Sequence, residues 1–454
     1  MLFENKDVAV IDLTHGGIPL AQHIARQARS VTGIDIYGTV GSDILSGLEK
    51  DGIKIDDKIN TDIDLIVAPV HLNPALMPNS GDSAECAGCA VITHHRAVGE
   101  LISGTPGRSL GGRIVEITGT LAKTSTATLL ADMASRSMSV LSHTTRGVEH
   151  WQKGVPIKVH HGLSIAPGSI LEALEHTADI KPDLYIFEVS LGGTGAAGLG
   201  IITSLDNEYT IAGGVSTSTR AKMQMVDYAK HGSTLLVNTS VGQIYPPDDV
   251  KIVTFSDTSG KGDVYMNETP TGIRTINCES LNGKTIRFMP GSGYDPSSYS
   301  TAMVCAAAAA CILDVGPGNI ESTLLDFQGV HGRMRQVERA GRKMVDNSNS
   351  GMNINSVGDA LEYAKNIAKT GNRLVLALGE EAKQVCEGLD PEDVSTFTIE
   401  HGSEVDDIIL VGERMEGISG NNIHHANSLD RAIEMAESLT KENDIIISCI
   451  KCFR

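Results

Sequence analysis

The chain has 454 residues, of which 41% are hydrophobic and 20% charged, and its formal net charge is −19 at pH 7. Its length exceeds what one hydrophobic core supports and predicts about two to four domains, and its acidity disfavours a nucleic-acid partner, because neutralising phosphates takes a basic face. No stretch approaches the roughly 18 apolar residues of a membrane helix, and the start lacks the pattern of a signal peptide, so we expect a cytoplasmic protein with no membrane partner.

The N-terminal part of the chain alternates between strand and helix patterns. Residues 7–12 are typical of a strand, residues 14–17 of a glycine turn and residues 18–28 of a helix. Later segments are predicted as strands at 31–38 and 62–69, a closing helix at 93–102 and a linker at 103–112. A strand, a glycine turn and a helix start in this order place backbone N–H groups where anions bind. The missing G-x-G-x-x-G motif disfavours a nicotinamide cofactor.

A second unit begins with residues 113–119 ("RIVEITG"), a strand rich in β-branched residues that runs straight into a loop. Helical spacing follows the loop, and further strands are predicted at 183–190, 199–205 and 233–239. Strands that alternate with helices imply a mostly parallel sheet. The alanine-rich segment 302–310 predicts a tightly packed helix that closes this unit.

The segment 314–319 ("DVGPGN") predicts a second boundary. Strands are predicted beyond it at 373–379, 406–412 and 444–449, with helices between them. The pattern alone therefore predicts three α/β domains in series, which we place at 1–107, 108–315 and 316–454.

Residues 117–126 ("ITGTLAKTST") are similar to a phosphate-binding loop. Successive N–H groups and the helix dipole hold phosphate oxygens; Lys123 would bridge the β- and γ-phosphates of ATP, and the Thr124 hydroxyl would bind Mg²⁺. The full pattern has glycine before the lysine, where this chain has Ala122. A positive φ at Ala122 would cost about 1–2 kcal/mol, whereas a right-handed conformation would be nearly free. The alternative is an ordinary helix start capped by Thr120.

Two pairs of cysteines have C-x-x-C spacing, Cys86 with Cys89 and Cys449 with Cys452. Four thiolates could hold zinc or an iron–sulfur cluster, but the pairs lie too far apart in the chain for zinc-ribbon spacing. The second pair also ends a strand that the pattern predicts to be buried. We therefore interpret these cysteines as reduced structural thiols.

Six motifs occur in the order found in the Mur ligases, a family of ATP-dependent enzymes that join carboxylates to nucleophiles. They are "TGTLAKTS" (118–125), "FEVS" (187–190), "TSLDNEYT" (203–210), "RAKMQM" (220–225), "VHGRM" (330–334) and "VDNSNSGMN" (345–353). The resemblance covers essentially the whole chain. It implies an α/β fold of three domains, with a central P-loop mononucleotide-binding domain flanked by two Rossmann-like domains, and it implies ATP and Mg²⁺ as cofactors.

This resemblance assigns a group of residues to the nucleotide. Gly119 and Thr120 would join Lys123 and Thr124 in binding the ATP phosphates and Mg²⁺. Glu188 resembles the family's metal-binding glutamate, and a carboxylate beside phosphates suits Mg²⁺. Lys123 and Glu188 are the catalytic groups that the resemblance implies in this part of the chain.

Three further residues are assigned by resemblance outside the loop. Lys222, in "RAK", resembles a catalytic lysine that many members carry as a carbamate to hold a second Mg²⁺; a plain surface lysine is the alternative. Arg333, in "GRM", and Asp346, in "VDNS", resemble residues that reach the nucleotide from the C-terminal domain. Arg335 is a near neighbour that could be confused with Arg333.

The chain departs from the family at Ala122 and at Glu208–Tyr209, where the family has an Asp–His pair whose histidine binds metal. Tyrosine is a poor Mg²⁺ ligand at neutral pH. Either Glu208 replaces the histidine as a metal ligand or the second metal is held differently. These departures favour a divergent branch of the family.

The segment "VAVIDLTHGGIPLAQHIARQA" (8–28) resembles one such branch from methanogenic archaea, the synthetases of coenzyme F-430. That resemblance implies a nickel tetrapyrrole carboxylate as the small-molecule substrate. Its propionate would be activated as an acyl phosphate and attacked by a ring carbon, which closes a six-membered carbocycle. His15, Gly16 and Gly17 would then bind the substrate, with a tight turn and a solvent-facing histidine as the alternative.

Two other segments offer basic and aromatic groups for an anionic macrocycle, "HHR" (94–96) and "RGVEHW" (146–151). Trp151, the only tryptophan, suits the core as well as it suits a stacking surface. Other functions also stay open: an amide ligase that adds an amino acid to a pseudomurein or other peptide precursor, and a nucleotide-binding relative without catalysis, which Ala122 and Tyr209 would signal. An oxidoreductase is the least favoured.

Overall fold

The computed structural model describes residues 2–59, 62–77, 89–104, 110, 113–206, 208–278, 281, 283–381 and 388–452. The chain forms two compact units, Met1–Phe288 with Thr301–Thr323 and Met289–Ser300 with Leu324–Arg454. Among the described residues, no helix has both the length and the apolar character needed to cross a bilayer. The predicted boundaries at 107 and 315 divide the chain more finely and stay predictions.

The first unit contains a five-stranded parallel sheet with strand order β3-β2-β1-β4-β5. Its strands are β1 (Asp7–Ile11), β2 (Ser30–Ile34), β3 (Lys54–Asp56), β4 (Leu65–Ala68) and β5 (Ala90–Thr93), and its helices are α1 (Ile18–Ala25), α2 (Ser42–Lys50) and α3 (His94–Gly104). Because β1 and β4 are parallel neighbours, the residues that follow them meet at one edge of the sheet. The predicted linker at 103–112 lies mostly outside the described residues.

The same unit contains an eleven-stranded mixed sheet with strand order β18-β17-β16-β15-β14-β11-β6-β10-β7-β8-β9. The strands are β6 (Arg113–Thr118), β7 (Val140–Thr144), β8 (Gly147–Gln152), β9 (Val155–His160), β10 (Leu184–Glu188), β11 (Leu199–Ile202), β14 (Thr234–Asn238), β15 (Lys251–Ser256), β16 (Val264–Glu268), β17 (Arg274–Cys278) and β18 (Lys284–Phe288). A separate antiparallel pair consists of β12 (Thr210–Ile211) and β13 (Ser216–Thr217). The central strands β7, β10, β6, β11 and β14 are parallel, as the alternating pattern predicts.

Six helices of the described residues belong to this part of the chain, of which the sequence predicted the one after the phosphate loop and the alanine-rich one. The six are α4 (Lys123–Ser135), α5 (Ser169–His176), α6 (Ser218–Lys222), α7 (Gln224–Asp227), α8 (Ser300–Ile312) and α9 (Pro317–Asp326). The alanine-rich segment of α8 is buried throughout, which confirms a tightly packed helix. α9 begins inside the predicted boundary segment 314–319, because Pro317 occupies its first position, where proline is favoured.

The two sheets of the first unit share one hydrophobic cluster. Leu20 and Ile24 of α1 belong to it together with Ile170 of α5 and Phe187 of β10. The side of the five-stranded sheet that carries α1 and α3 therefore packs on the region around α5 and β10. This packing brings the turn after β1 close to the end of β10.

The second unit contains a six-stranded sheet with strand order β19-β20-β24-β21-β22-β23, parallel except for β19. Its strands are β19 (Arg335–Arg339), β20 (Arg342–Asp346), β21 (Leu374–Glu380), β22 (Asp407–Val411), β23 (Ile423–Ala426) and β24 (Ile445–Lys451), and its helices are α10 (Ile354–Ile367), α11 (Pro391–His401) and α12 (Leu429–Leu439). The three strands predicted in this region are confirmed.

The C-terminal cysteine pair lies in the core of this unit. Cys449 and Cys452 are buried, and burial raises the pKa of the Cys449 thiol. A buried thiol of raised pKa is inert, which agrees with the interpretation of this pair as structural. Cys86 lies outside the described residues, so the interpretation of the other pair stays a prediction.

Candidate functional site

The loop between β6 and α4 is held from the neighbouring strand β11. The Thr120 N–H donates to the carbonyl oxygen of Ser204 (2.9 Å), the Leu121 N–H donates to the Ser204 hydroxyl (3.0 Å), and the Thr203 hydroxyl donates to the Leu121 carbonyl (2.5 Å). Gly119 has φ 143°, and a Cβ there would lie 2.1 Å from the Thr203 hydroxyl oxygen, so only glycine fits. The loop thus has a fixed shape that directs the N-terminal N–H groups of α4 outwards.

Ala122 takes the left-handed conformation that the phosphate-loop pattern assigns to glycine. Its φ is 65° and its ψ is −2°, and it is the residue that precedes the first turn of α4. An alanine methyl in this conformation costs about 1–2 kcal/mol. Of the two conformations considered for Ala122, the chain therefore adopts the strained, left-handed one.

Thr124 and Glu188 are in direct contact at the carboxyl ends of β6 and β10. The Thr124 hydroxyl lies 3.0 and 2.9 Å from the two carboxylate oxygens of Glu188, whose side chain is buried. The Thr145 N–H donates to the same carboxylate (3.3 Å), and the hydroxyls of Thr124 and Thr145 are 3.3 Å apart. A buried carboxylate beside hydroxyls is a set of hard oxygen donors, the kind that Mg²⁺ prefers.

Lys123 and Thr120 lie on the other side of this loop. The Lys123 ammonium donates to the Thr120 carbonyl oxygen at 3.4 Å, so the side chain folds back over the loop. The Thr120 hydroxyl oxygen is buried and has no hydrogen-bond partner among the residues that the structure describes. A buried hydroxyl without a partner is costly unless a bound group satisfies it, and a phosphate oxygen would do so.

Glu208 and Lys222 form a second group around Tyr209. Lys222 is the last residue of α6 and is 2% exposed, so the alternative of a plain surface lysine is wrong. Its ammonium lies 5.1 Å from the centre of the Tyr209 ring, a cation–π distance. Hydrogen bonds from Thr217 and Thr219 lower the pKa of Glu208, which lies on the surface. Metal binding by Glu208 and carbamylation of Lys222 stay predictions.

His15 lies in a polar cluster behind the turn that follows β1. Asp12, at the end of β1, is buried and has φ 67°. One of its carboxylate oxygens accepts the N–H groups of Thr14 and His15 (both 3.1 Å); the other lies 2.8 Å from His15 Nδ1 and 3.6 Å from His71 Nε2. Burial would raise the pKa of Asp12, but the hydrogen bonds with His15 and His71 outweigh it and hold the pKa well below its usual range.

Gly16 and Gly17 let this turn approach the loop before α5. Gly16 has φ 87°, and a Cβ on Gly17 would lie 2.2 Å from the Asp12 carbonyl oxygen. A Cβ on Gly168 would lie 2.0 Å from the Gly16 carbonyl oxygen, so the two backbones are in contact. The Ser190 N–H, two residues after Glu188, donates to the carbonyl of residue 165 in the same loop (2.9 Å). The His15 turn is therefore joined through one loop to the end of β10.

The two histidines of "HHR" and the tryptophan of "RGVEHW" are enclosed in the core. His94 and His95 are buried and donate to the carbonyl oxygens of Ile11 (2.9 Å) and Ser190 (2.6 Å), and burial lowers both pKa values to about 4. The expectation that these two histidines supply basic groups to an anionic ligand is wrong, because both are neutral and enclosed. Trp151 is also buried, with its indole N–H donating to the Ser142 hydroxyl (3.0 Å), so its role is in the core.

In the second unit, the turn of Arg333 and the loop that begins at Asp346 fold together. The buried Asp346 carboxylate accepts the N–H groups of Gly332 (3.1 Å) and Ser348 (3.2 Å), and the Arg333 guanidinium donates to the Asn349 side chain (3.2 Å). Arg335, in contrast, belongs to strand β19. The contacts of Arg333 and Asp346 with a nucleotide stay predictions.

Sequence reasoning missed Thr145, Asp12 and His71. Each follows the carboxyl end of a parallel strand, and such ends meet at the edge where α/β proteins place their ligands. No strand was predicted before Thr145, but Asp12 ends the predicted strand 7–12 and His71 lies two residues after the predicted strand 62–69, so part of the signal was present in the sequence. It becomes useful only when the strand order is known.

The chain is similar in sequence to known proteins over nearly its whole length. A family model described as coenzyme F430 synthetase CfbE, C-terminal domain, matches residues 336–452. A coenzyme F(430) synthetase from Methanosarcina acetivorans is 44% identical, and the alignment covers 99% of each chain.

Solved structures of peptide ligases have the same fold. MurF from Acinetobacter baumannii aligns with a TM-score of 0.58 at 13% identity, covering 97% of this chain and 90% of that one. A pseudomurein peptide ligase type C from Methanothermus fervidus aligns with a TM-score of 0.51 at 15% identity, covering 98% and 97%. The three-domain Mur-ligase fold class predicted from the sequence is thereby confirmed.

Proposed function

The chain belongs to the coenzyme F430 synthetase family, and on that premise we propose that it closes the carbocyclic ring of this nickel tetrapyrrole from an open-ring carboxylic acid. The protein is an ATP-dependent ligase. The single observation that carries the proposal is the contact of the "DLTHGG" turn, through the loop at 165–168, with the strand that ends in Glu188. A carboxylate bound at this turn would lie on the side of the molecule where the phosphate loop ends.

The reaction has two steps. A carboxylate oxygen of the substrate attacks the γ-phosphorus of ATP, ADP leaves, and the carboxylate becomes an acyl phosphate. A ring carbon of the same substrate loses a proton and attacks the acyl carbon, a carbon–carbon bond forms, and inorganic phosphate leaves. One carboxylate, one C–H bond and one ATP thus give a cyclic ketone, ADP and phosphate.

The described residues fit ATP and Mg²⁺. The N-terminal N–H groups of α4, the buried Thr120 hydroxyl and the Lys123 ammonium would receive the phosphates. The Thr124 hydroxyl and the Glu188 carboxylate would hold Mg²⁺ between them. Bound Mg²⁺ neutralises charge on the transferred phosphoryl group.

The protein's own part in the reaction is positioning. Thr203 and Ser204 fix the phosphate loop, and Thr145 fixes the Glu188 carboxylate, so these groups need little rearrangement when a nucleotide binds. Lys123 supplies a positive charge where negative charge develops during transfer. Asp12 orients the His15 ring in the turn that would face the substrate.

The test is a turnover assay with purified protein, ATP and the open-ring nickel precursor, with no amine present. We expect ADP and a cyclised product whose absorbance differs from that of the precursor. Lys123→Ala should abolish both, whereas Lys181→Ala, at an exposed loop position of the same unit, should leave both unchanged.

Two outcomes would contradict the proposal. ADP formation only after addition of an amino acid would identify an amide ligase that acts on a peptide precursor. A folded protein that binds ATP but never forms ADP would identify a nucleotide-binding relative without catalysis.

A further inference from the structure

The cluster of Asp12, His15 and His71 has the composition of a transition-metal site. One carboxylate and two imidazoles offer three ligand atoms, all within 4.8 Å of one another. Asp12 directly follows β1 and His71 follows β4, so the parallel sheet itself brings the two side chains together. His15 joins them because the turn after β1 folds back over the Asp12 carboxylate.

The two oxygens of Asp12 have separate tasks. One accepts the N–H groups of Thr14 and His15 and so holds the turn. The other lies near two imidazole nitrogens of the described residues, His15 Nδ1 at 2.8 Å and His71 Nε2 at 3.6 Å. Donor atoms around a tetrahedral ion with ligand distances of about 2.0–2.2 Å lie about 3.3–3.6 Å apart. The separation from His71 lies at the upper end of this range, whereas the separation from His15 is shorter and would have to lengthen when an ion binds.

The cluster is closed to solvent at Asp12 and open to solvent at the two histidines. The Asp12 side chain is 0% exposed, whereas those of His15 and His71 are 35% and 31% exposed. A carboxylate that is removed from water needs a compensating cation, which is either a protonated partner or a metal ion. Three protein ligands with one side open to solvent is the arrangement of zinc sites that keep a position for a further ligand.

We propose that Asp12, His15 and His71 bind a first-row divalent transition-metal cation of the Zn²⁺ class. Imidazole nitrogens select such ions over Mg²⁺, which prefers an all-oxygen set. The site is thus chemically distinct from the oxygen donors Thr124 and Glu188 of the phosphate loop. The proposal does not depend on the substrate of the enzyme, since it concerns only the cation.

The neighbouring groups support the same assignment. His94 donates its Nε2–H to the carbonyl oxygen of Ile11, the residue before Asp12, and so helps to hold the end of β1 in place. The His15 ring makes edge-to-face contacts with the rings of Tyr37 and His71, with centroids 5.5 and 5.4 Å apart. These contacts limit ring rotation and preserve the arrangement of the donor atoms.

The experiment is a titration of the full-length protein, first stripped with a chelator, with Co²⁺ followed by visible absorption and then with Zn²⁺ in competition. We expect one Co²⁺ per chain with the intense absorption of four- or five-coordinate cobalt, which Zn²⁺ bleaches. His71→Gln and His15→Gln should each weaken binding at least about 10-fold, the smallest loss found even for groups that merely support a ligand.

The matched control is His231→Gln, because His231 also pairs with a carboxylate, Asp249, at 3.0 Å but is exposed and has no second imidazole in that pair. It should bind Co²⁺ like the unchanged protein. Asp12→Asn tests the carboxylate, and far-ultraviolet circular dichroism of each variant verifies that it is folded.

Three results would overturn the proposal: no binding of Co²⁺ or Zn²⁺ by folded protein, a weak six-coordinate cobalt spectrum, or equal affinity in the folded histidine variants and the control. None of these depends on ATP turnover. The turnover assay could therefore refute the proposed function while the titration confirms the metal site, and the titration could refute the metal site while the turnover assay confirms the function.

Discussion

Replacing Ala122 by glycine should stabilise the protein, although most substitutions in a functional loop destabilise. Ala122 has φ 65°, and the left-handed region costs an alanine about 1–2 kcal/mol relative to glycine. Glycine offsets part of this gain, because the unfolded chain has more conformational freedom at a glycine, which lowers the free energy of unfolding by about 0.4–1 kcal/mol. The free energy of unfolding should therefore rise by about 0.5–1 kcal/mol in Ala122→Gly.

Trp151 makes the measurement specific. It is the only tryptophan, and it is buried in β8 of the sheet that carries the phosphate loop. Its fluorescence during urea unfolding therefore reports the unit that contains Ala122. With a denaturant dependence of about 2–3 kcal/mol per M, the urea midpoint should rise by about 0.3 M.

Two controls in the same unit bracket the result. Lys153 also has a positive φ, 53°, in an exposed turn, so Lys153→Gly should stabilise by a similar amount. Ala75 is exposed in a short helical turn, and Ala75→Gly should destabilise by about 0.5–1 kcal/mol. The reasoning is refuted if Ala122→Gly lowers the midpoint or leaves it unchanged while Lys153→Gly raises it.

Three further predictions follow from the buried groups and the close backbones. Glu188→Gln should keep the fold but lower ATP turnover by about 100-fold or more, measured as ADP release, whereas Glu116→Gln, at a buried glutamate on the adjacent strand, should change stability more than turnover. Burial lowers the pKa of His143 to about 4, so between about pH 6.5 and 4 only the unfolded state takes up the proton of this histidine. The contribution of His143 to the free energy of unfolding is therefore complete above about pH 6.5 and has fallen by about 1.4 kcal/mol at pH 5.5. Urea unfolding at several pH values should show a less steep loss of stability in His143→Gln. Gly168→Ala would place a Cβ 2.0 Å from the Gly16 carbonyl oxygen and separate the two backbones. It should therefore raise KM for the tetrapyrrole substrate, while ATP binding, measured by calorimetry, stays near that of the unchanged protein. An equal loss of substrate affinity and ATP binding would contradict the separate roles of the two regions.

The local pattern of the sequence determined the elements that carry the nucleotide site. A run of β-branched residues, a Gly–Thr turn and helical spacing after Lys123 predicted β6, the loop and α4 at nearly their observed bounds. Glu188 falls near the end of the predicted strand 183–190 and is the last residue of β10, because the pattern of apolar residues that predicts a strand is local. The ordered motifs also predicted the fold class, through their resemblance to the Mur ligases.

Only the tertiary structure decided which of two local conformations Ala122 adopts, because hydrogen bonds between the loop and the two residues after β11, Thr203 and Ser204, close the loop. It also decided that His94 and His95 are enclosed, and that Asp12 and His71 meet at one edge of a sheet. A local pattern of apolar residues reflects only the periodicity of one helix or one strand. Burial, strand order and contacts between distant residues depend on how elements pack, and a single sequence records that packing only indirectly.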